Sequence, residues 1–78
     1  MEARISSDPR IFDGKPIIRG LRISVEMILD LLSQGMTTEE ILSEYSVLEP
    51  EDLSACLRYA KALVACEETE LVIVEENQ

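Results

Sequence analysis

Histidine and tryptophan are absent from this chain. The first absence removes the side chain most often used as a general base and as a metal ligand near neutral pH. Glycine occurs only three times, and no glycine-rich phosphate loop, nucleophile elbow or metal-ligand spacing can be assembled from the residues present. Carboxylates are left as the only plentiful catalytic type, and their numbers fit solvated helix faces better than paired acids and bases. An enzyme is therefore not expected, and no cofactor or small-molecule substrate is implied. Cysteine is scarce too. Cys56 and Cys66 are too few for a disulfide scaffold or, without histidine, for a zinc site. On one helix their Cα atoms would lie ~15 Å apart, well beyond the ~7 Å limit for a bridge. No apolar run approaches the roughly 18 residues of a spanning helix, and the N-terminus lacks the apolar stretch of a signal peptide. No membrane association and a cytoplasmic location are the expectation.

What is present is aliphatic. Apolar residues make up 46% of the 78, yet aromatics make up only 4%: Phe12, Tyr45 and Tyr59. A single domain over residues 1–78 is expected, and a chain of this size buries only about 60–65% of its unfolded surface. Its core would be completed by a homodimer or by another protein. The net charge of −9 is unevenly spread. Residues 1–22 carry Arg4, Arg10, Lys15, Arg19 and Arg22 against Glu2, Asp8 and Asp13, a balance of +2. Residues 23–78 carry only Arg58 and Lys61 against thirteen acids, a balance of −11.

The chain is organised around residues 13–24, which read D-G-K-P-I-I-R-G-L-R-I-S and hold Gly14, Gly20, Lys15, Arg19 and Arg22. Asp13-Gly14, flanked by Ile11-Phe12 and Pro16-Ile17-Ile18, signals a type I′ hairpin loop, because both central positions need positive φ. Residues 10–12 and 16–19 would be its arms, with Pro16 at an edge because it has no N–H to donate. Residues 3–6 could add a short strand before a turn at Ser7-Asp8-Pro9. The whole of 3–23 reads as a β-ribbon.

Residues 24–66 read as three helices. Ser24 is an N-cap and Gly35 a left-handed stop for the first, with Val25, Ile28, Leu29, Leu31 and Leu32 on the apolar side. Thr37 and Glu40 form a capping box opening the second, whose buried stripe is Ile41, Leu42 and Tyr45 and whose end is placed near Ser46. Pro50 takes the first position of the third, with Glu51 and Asp52 in its first turn. Leu53, Cys56, Leu57, Ala60, Leu63 and Val64 repeat at helical spacing, leaving Ser54, Ala55, Arg58, Lys61 and Ala62 outside. Residues 67–78 form an acidic tail in which Leu71, Val72, Ile73 and Val74 are strong strand formers. The fold class is mainly α: a helix-turn-helix-like trio with an N-terminal β-ribbon and a short C-terminal strand at 71–74.

The same stretch resembles, residue by residue, the signature of the bacterial domain of unknown function 433 family. The residues that carry the likeness are Asp8-Pro9, Gly14-Lys15-Pro16, Ile18-Arg19-Gly20, Arg22-Ile23, Gly35, Thr37, Glu39-Glu40-Ile41, Tyr45, Glu51-Asp52-Leu53 and Tyr59-Ala60. They span about residues 5–64, and Leu21 stands where the family usually has Thr. The resemblance implies a homeodomain-like fold. It also implies an antitoxin-like partner of a toxin, often a PIN-like ribonuclease, which it would neutralise by occlusion.

Three functions then compete. A protein-binding module fits the charge map: an acidic chain steers onto a basic partner and adds residues 71–74 to its sheet edge. The same strand could instead pair with the chain's own ribbon or with a twin. A dimeric DNA-binding regulator would use the ribbon cations Arg4, Arg10, Lys15, Arg19 and Arg22, whereas Arg19 and Arg22 could equally pair with acids of the helical body. Insertion of the third helix into a DNA groove is disfavoured, since Glu49, Glu51 and Asp52 would meet the phosphate wall. A homodimeric interaction domain is the third reading.

Overall fold

The computed structural model describes the backbone of residues 2–75 and the side chains of residues 2–66. In chain order it contains β1 (Ile5–Ser6), a turn of 3₁₀ helix at Phe12–Gly14, β2 (Ile17–Ile18), α1 (Val25–Ser33), α2 (Thr38–Glu44) and α3 (Pro50–Glu75). The architecture is mainly α, as expected, with β1 and β2 antiparallel in the register Ile5 to Ile18 and Ser6 to Ile17. α3 packs against α1, α2 and β1, and the shared core is built from Ile5, Ile18, Val25, Ile28, Ile41, Leu48, Leu53, Ala55 and Cys56.

The local signals for the first two helices hold. Ser24 accepts a hydrogen bond from the Met27 N–H, and Thr37 and Glu40 exchange both bonds of a capping box. At the end of α1 the Met36 N–H reaches the Leu31 carbonyl at 3.2 Å and the Gly35 N–H the Leu32 carbonyl at 3.0 Å. This is the Schellman pattern, and it requires Gly35 to sit at φ 98°. α2 stops at Glu44, earlier than Ser46, with Tyr45 as its cap.

Three expectations are corrected. Asp13 and Gly14 do adopt positive φ, but they lie inside the 3₁₀ turn and do not join two ladder arms. Residues 10–12 form no strand. Such a hairpin would have put Pro16, which has no N–H, into the ladder. β2 is paired instead by β1, and the Pro16 carbonyl accepts from the Val25 N–H at the start of α1. The turn with type I′ character falls at Arg19-Gly20, where both residues have positive φ and the Leu21 N–H closes onto the Ile18 carbonyl at 2.7 Å.

The second correction concerns residues 71–74, which continue α3 and form no strand. Neither glycine nor proline follows Pro50, so nothing interrupts the helix. Once a helix is nucleated each added residue gains a backbone bond, and strand preferences that span only ~1 kcal/mol do not stop it. The third is the phase of α3. Its buried line is Asp52, Leu53, Ala55 and Cys56, whereas Leu57, Leu63 and Val64 stand half exposed to solvent. Ala55, expected outside, is fully buried.

Replacing Ile28, fully buried between the helices, by Ala is expected to lower the unfolding free energy by about 2–5 kcal/mol. Thr37→Ala, which removes half of the capping box, should cost about 1 kcal/mol. Urea unfolding followed by circular dichroism measures both.

Candidate functional site

The cationic residues of the ribbon converge on one buried carboxylate. Asp52 occupies the third position of α3, three residues after Glu49, and its side chain has no solvent exposure. Its Oδ2 accepts from the Glu49 N–H at 2.8 Å, the bond by which a first-turn acid closes a helix start. Arg19 approaches in bidentate fashion, Nε donating to Oδ1 at 3.0 Å and Nη2 to Oδ2 at 2.9 Å. Arg4 Nη1 donates to the same Oδ1 at 2.9 Å and to Glu49 Oε1 at 2.7 Å. Arg19 Nη2 also donates to the Val47 carbonyl at 3.0 Å. Asp52 therefore accepts four hydrogen bonds, and among the described residues every buried side-chain polar atom has a partner.

The local backbone explains the convergence. Arg4 precedes β1 and Arg19 follows β2, so the pairing of the two strands brings both guanidinium groups to the same edge. The left-handed Arg19-Gly20 turn then carries the chain away while the Arg19 side chain returns to α3. Burial by itself pushes the Asp52 carboxyl up. The Arg19 guanidinium, the Glu49 N–H and the Arg4 guanidinium outweigh that effect and hold it down at about 2. One turn further on, burial and the neighbouring Asp52 charge push the Cys56 thiol up to about 11, so it stays protonated and inert at neutral pH.

The other ribbon cations are engaged more loosely. Arg10 folds back onto Asp8 of its own turn, and Lys15 meets Glu26 of α1 at 2.9 Å, both ends solvent-exposed. Pairs of that kind contribute little. Arg22 is exposed and makes no ion pair among the described residues. The alternative in which Arg19 and Arg22 both pair with the body thus holds for Arg19 alone. Gly14, Gly20 and Gly35 all sit at positive φ, and Thr37 and Glu40 form their cap, so these serve the backbone. Pro16 contributes through its carbonyl to the start of α1.

Sequence reasoning assigned Asp52 to a solvated first turn and missed its role. The available signal was the order Glu49-Pro50-Glu51-Asp52, which puts an acid at the one first-turn position able to reach back to the cap.

A second feature lies along the middle of α3. The face that packs on the body continues beyond it as Tyr59, Leu63 and Cys66, spaced four and three residues apart. With Glu2, Arg58 and Ala62 these line an open groove. Arg58 closes one side by donating to both Glu2 carboxylate oxygens, Nε at 2.8 Å and Nη2 at 3.1 Å. Leu63 is 51% exposed there, although it lies on the continuation of a core line. No group of three or more potential metal ligands occurs among the described residues, and none of their helices is long and apolar enough to cross a membrane.

The family model described as DUF433, a protein of unknown function, matches residues 5–60. The structure is similar to the crystal structure of a DUF433 member protein from Anabaena variabilis ATCC 29413, with 30% sequence identity and a TM-score of 0.74. That alignment covers 88% of this chain and 68% of the Anabaena chain. No curated protein matches.

Asp52 fixes the pH dependence of stability. Its folded-state value of about 2 lies below the ordinary 3.8, so its stabilising contribution is complete above about pH 5 and is lost as pH falls through 3.8 towards 2. The expected loss is about 2 kcal/mol. Asp52→Asn should cost about 3–5 kcal/mol at neutral pH, because two arginines are left facing a neutral group, and it should flatten the acid limb. Urea midpoints measured at pH 7 and near pH 2 for both chains check this.

Proposed function

This chain belongs to the DUF433 family, matched from residue 5 to residue 60, and from that premise we propose that it is a protein-binding module of the antitoxin kind. It covers and thereby neutralises a toxin, of the PIN-like ribonuclease class that the family resemblance implies. The observation that carries the reading is the apolar line of α3, Tyr59, Leu63 and Cys66, which runs off the end of the body into an open groove.

Two further features support it. The net charge of −9 steers the chain towards a basic surface such as that of a nucleic-acid-cleaving enzyme. Four of the six groove residues, Glu2, Ala62, Leu63 and Cys66, lie outside the family match at residues 5–60.

The regulator reading is weaker. Four of its five ribbon cations, Arg4, Arg10, Lys15 and Arg19, are neutralised by carboxylates of the same chain. To bind phosphate they would have to break those pairs, and only Arg22 stands without one among the described residues. The capture mode through an added strand at 71–74 falls with the helical course of those residues.

Co-expression with the product of the adjacent gene, followed by size-exclusion chromatography, is expected to give one co-eluting complex. Leu63→Glu should abolish co-elution and leave the circular dichroism of the isolated chain unchanged. Separate elution of the two wild-type proteins at micromolar concentration would defeat the antitoxin reading. A gel shift on upstream DNA at low salt that is lost on Arg22→Ala would favour the regulator.

A further inference from the structure

The groove along α3 has a charged rim as well as an apolar floor. Tyr59, Ala62, Leu63 and Cys66 supply the floor, and Arg58 borders it. Between residue 23 and the end of the chain the only cations are Arg58 and Lys61, three residues apart and therefore neighbours on one side of the helix. No acid lies between Asp52 and Glu67, so this stretch of α3 is positively charged within an acidic chain.

The rim already holds a carboxylate. Glu2 arrives from the opposite end of the sequence, and its two oxygens accept from Arg58 Nε at 2.8 Å and Nη2 at 3.1 Å. This forked pairing is the geometry in which a guanidinium reads a carboxylate, so the recognition site is formed in the isolated chain. The Arg58 side chain nevertheless stays 56% exposed. An ion pair so open to water contributes little, and another carboxylate can take the place of Glu2 at small cost. Lys61 makes no ion pair among the described residues and offers a second contact beside it.

Geometry and charge together select the occupant. The rise from Arg58 to Cys66 is ~12 Å, about two helical turns. A segment that lays two apolar side chains over Tyr59 and the half-exposed Leu63 has one flank beside Arg58 and Lys61. Complementarity asks for acid on that flank. The net charge of −9 acts on approach, whereas these two cations act at contact, so the seated segment is acidic there even on a protein that is basic as a whole.

We infer that the groove takes an amphipathic segment of a partner protein, with apolar side chains on Tyr59 and Leu63 and a carboxylate that replaces Glu2 on Arg58. This chemistry rests on the groove being the binding surface proposed above, and it makes Glu2 a competitor built into the chain.

Fluorescence anisotropy with the whole chain at physiological salt tests this on two labelled amphipathic peptides. Both carry leucines one helical turn apart; one has glutamates along a single flank and the other has lysines in their place. A chain of net negative charge that sensed only long-range potential would prefer the lysine peptide. The expected result is the reverse, with the glutamate peptide bound roughly tenfold tighter. Arg58→Gln should remove that preference, and Leu63→Glu should abolish binding of both peptides. Glu2→Gln should tighten the glutamate peptide by up to about fivefold, a gain that a merely structural Glu2 would not give. The proposal is overturned if neither peptide binds, if the lysine peptide binds as tightly or tighter, if Arg58→Gln leaves the preference in place, or if Glu2→Gln weakens binding. Co-elution with the adjacent gene product is scored separately, so the antitoxin reading can fail while acid selection by the groove stands.

Discussion

One buried carboxylate holds the two halves of this molecule in register. Asp52 is fully removed from solvent, and its four hydrogen bonds come from both ends of the ribbon and from the cap of its own helix. A buried ion cluster is a weak net source of stability, because desolvation offsets most of the Coulomb gain. Its effect is on geometry. With the acid fixed at the third position of α3, the rotation of that helix about its axis is fixed too, and Leu53, Ala55 and Cys56 are the side chains that turn inward. Leu57 is turned outward by the same constraint, whereas Leu63 and Val64 are exposed because they lie beyond the body.

The charge map follows from that arrangement. The sequence separates a cationic ribbon from an anionic helical body, and the fold cancels the first against the second. Arg19 and Arg4 are consumed by Asp52 and Glu49, and Lys15 by Glu26. What faces solvent is therefore mostly the excess of acid. Such a surface carries a negative potential whose reach is set by ionic strength, since the Debye length is about 8 Å at physiological salt.

The parts of the fold legible in the sequence are those set by short-range chemistry. The cap at Ser24, the Gly35 stop, the Thr37 and Glu40 capping box and Pro50 at the first turn of α3 each depend on residues within four positions of one another. The parts that were not legible depend on distant partners. Whether Asp13-Gly14 or Arg19-Gly20 makes the type I′ turn depends on what flanks β2: β1, more than ten residues upstream, on one side, and Ser24, reached across the Arg19-Gly20 turn, bridged to Ile17. The burial of Asp52 depends on two arginines 33 and 48 residues away. Phasing α3 by its leucines, as hydrophobic periodicity suggests, places Ala55 outside and Leu57 inside, the reverse of what the ion cluster imposes.

The same logic explains why the candidate surfaces lie where they do. A helix phased by leucine alone would have hidden Leu57, Leu63 and Val64 to the extent that the small body could cover them. Phased by Asp52, α3 presents its apolar side chains on two lines, one prolonging the core at Tyr59 and Leu63, the other at Leu57 and Val64. Because the helix is clamped at its first turn by Arg4 and Arg19, these lines project in a fixed direction from the body. A clamped helix loses less conformational entropy on docking than a free segment would, which suits these lines to the binding role proposed above. The acid that looks least suited to a core thus fixes which apolar residues stay exposed.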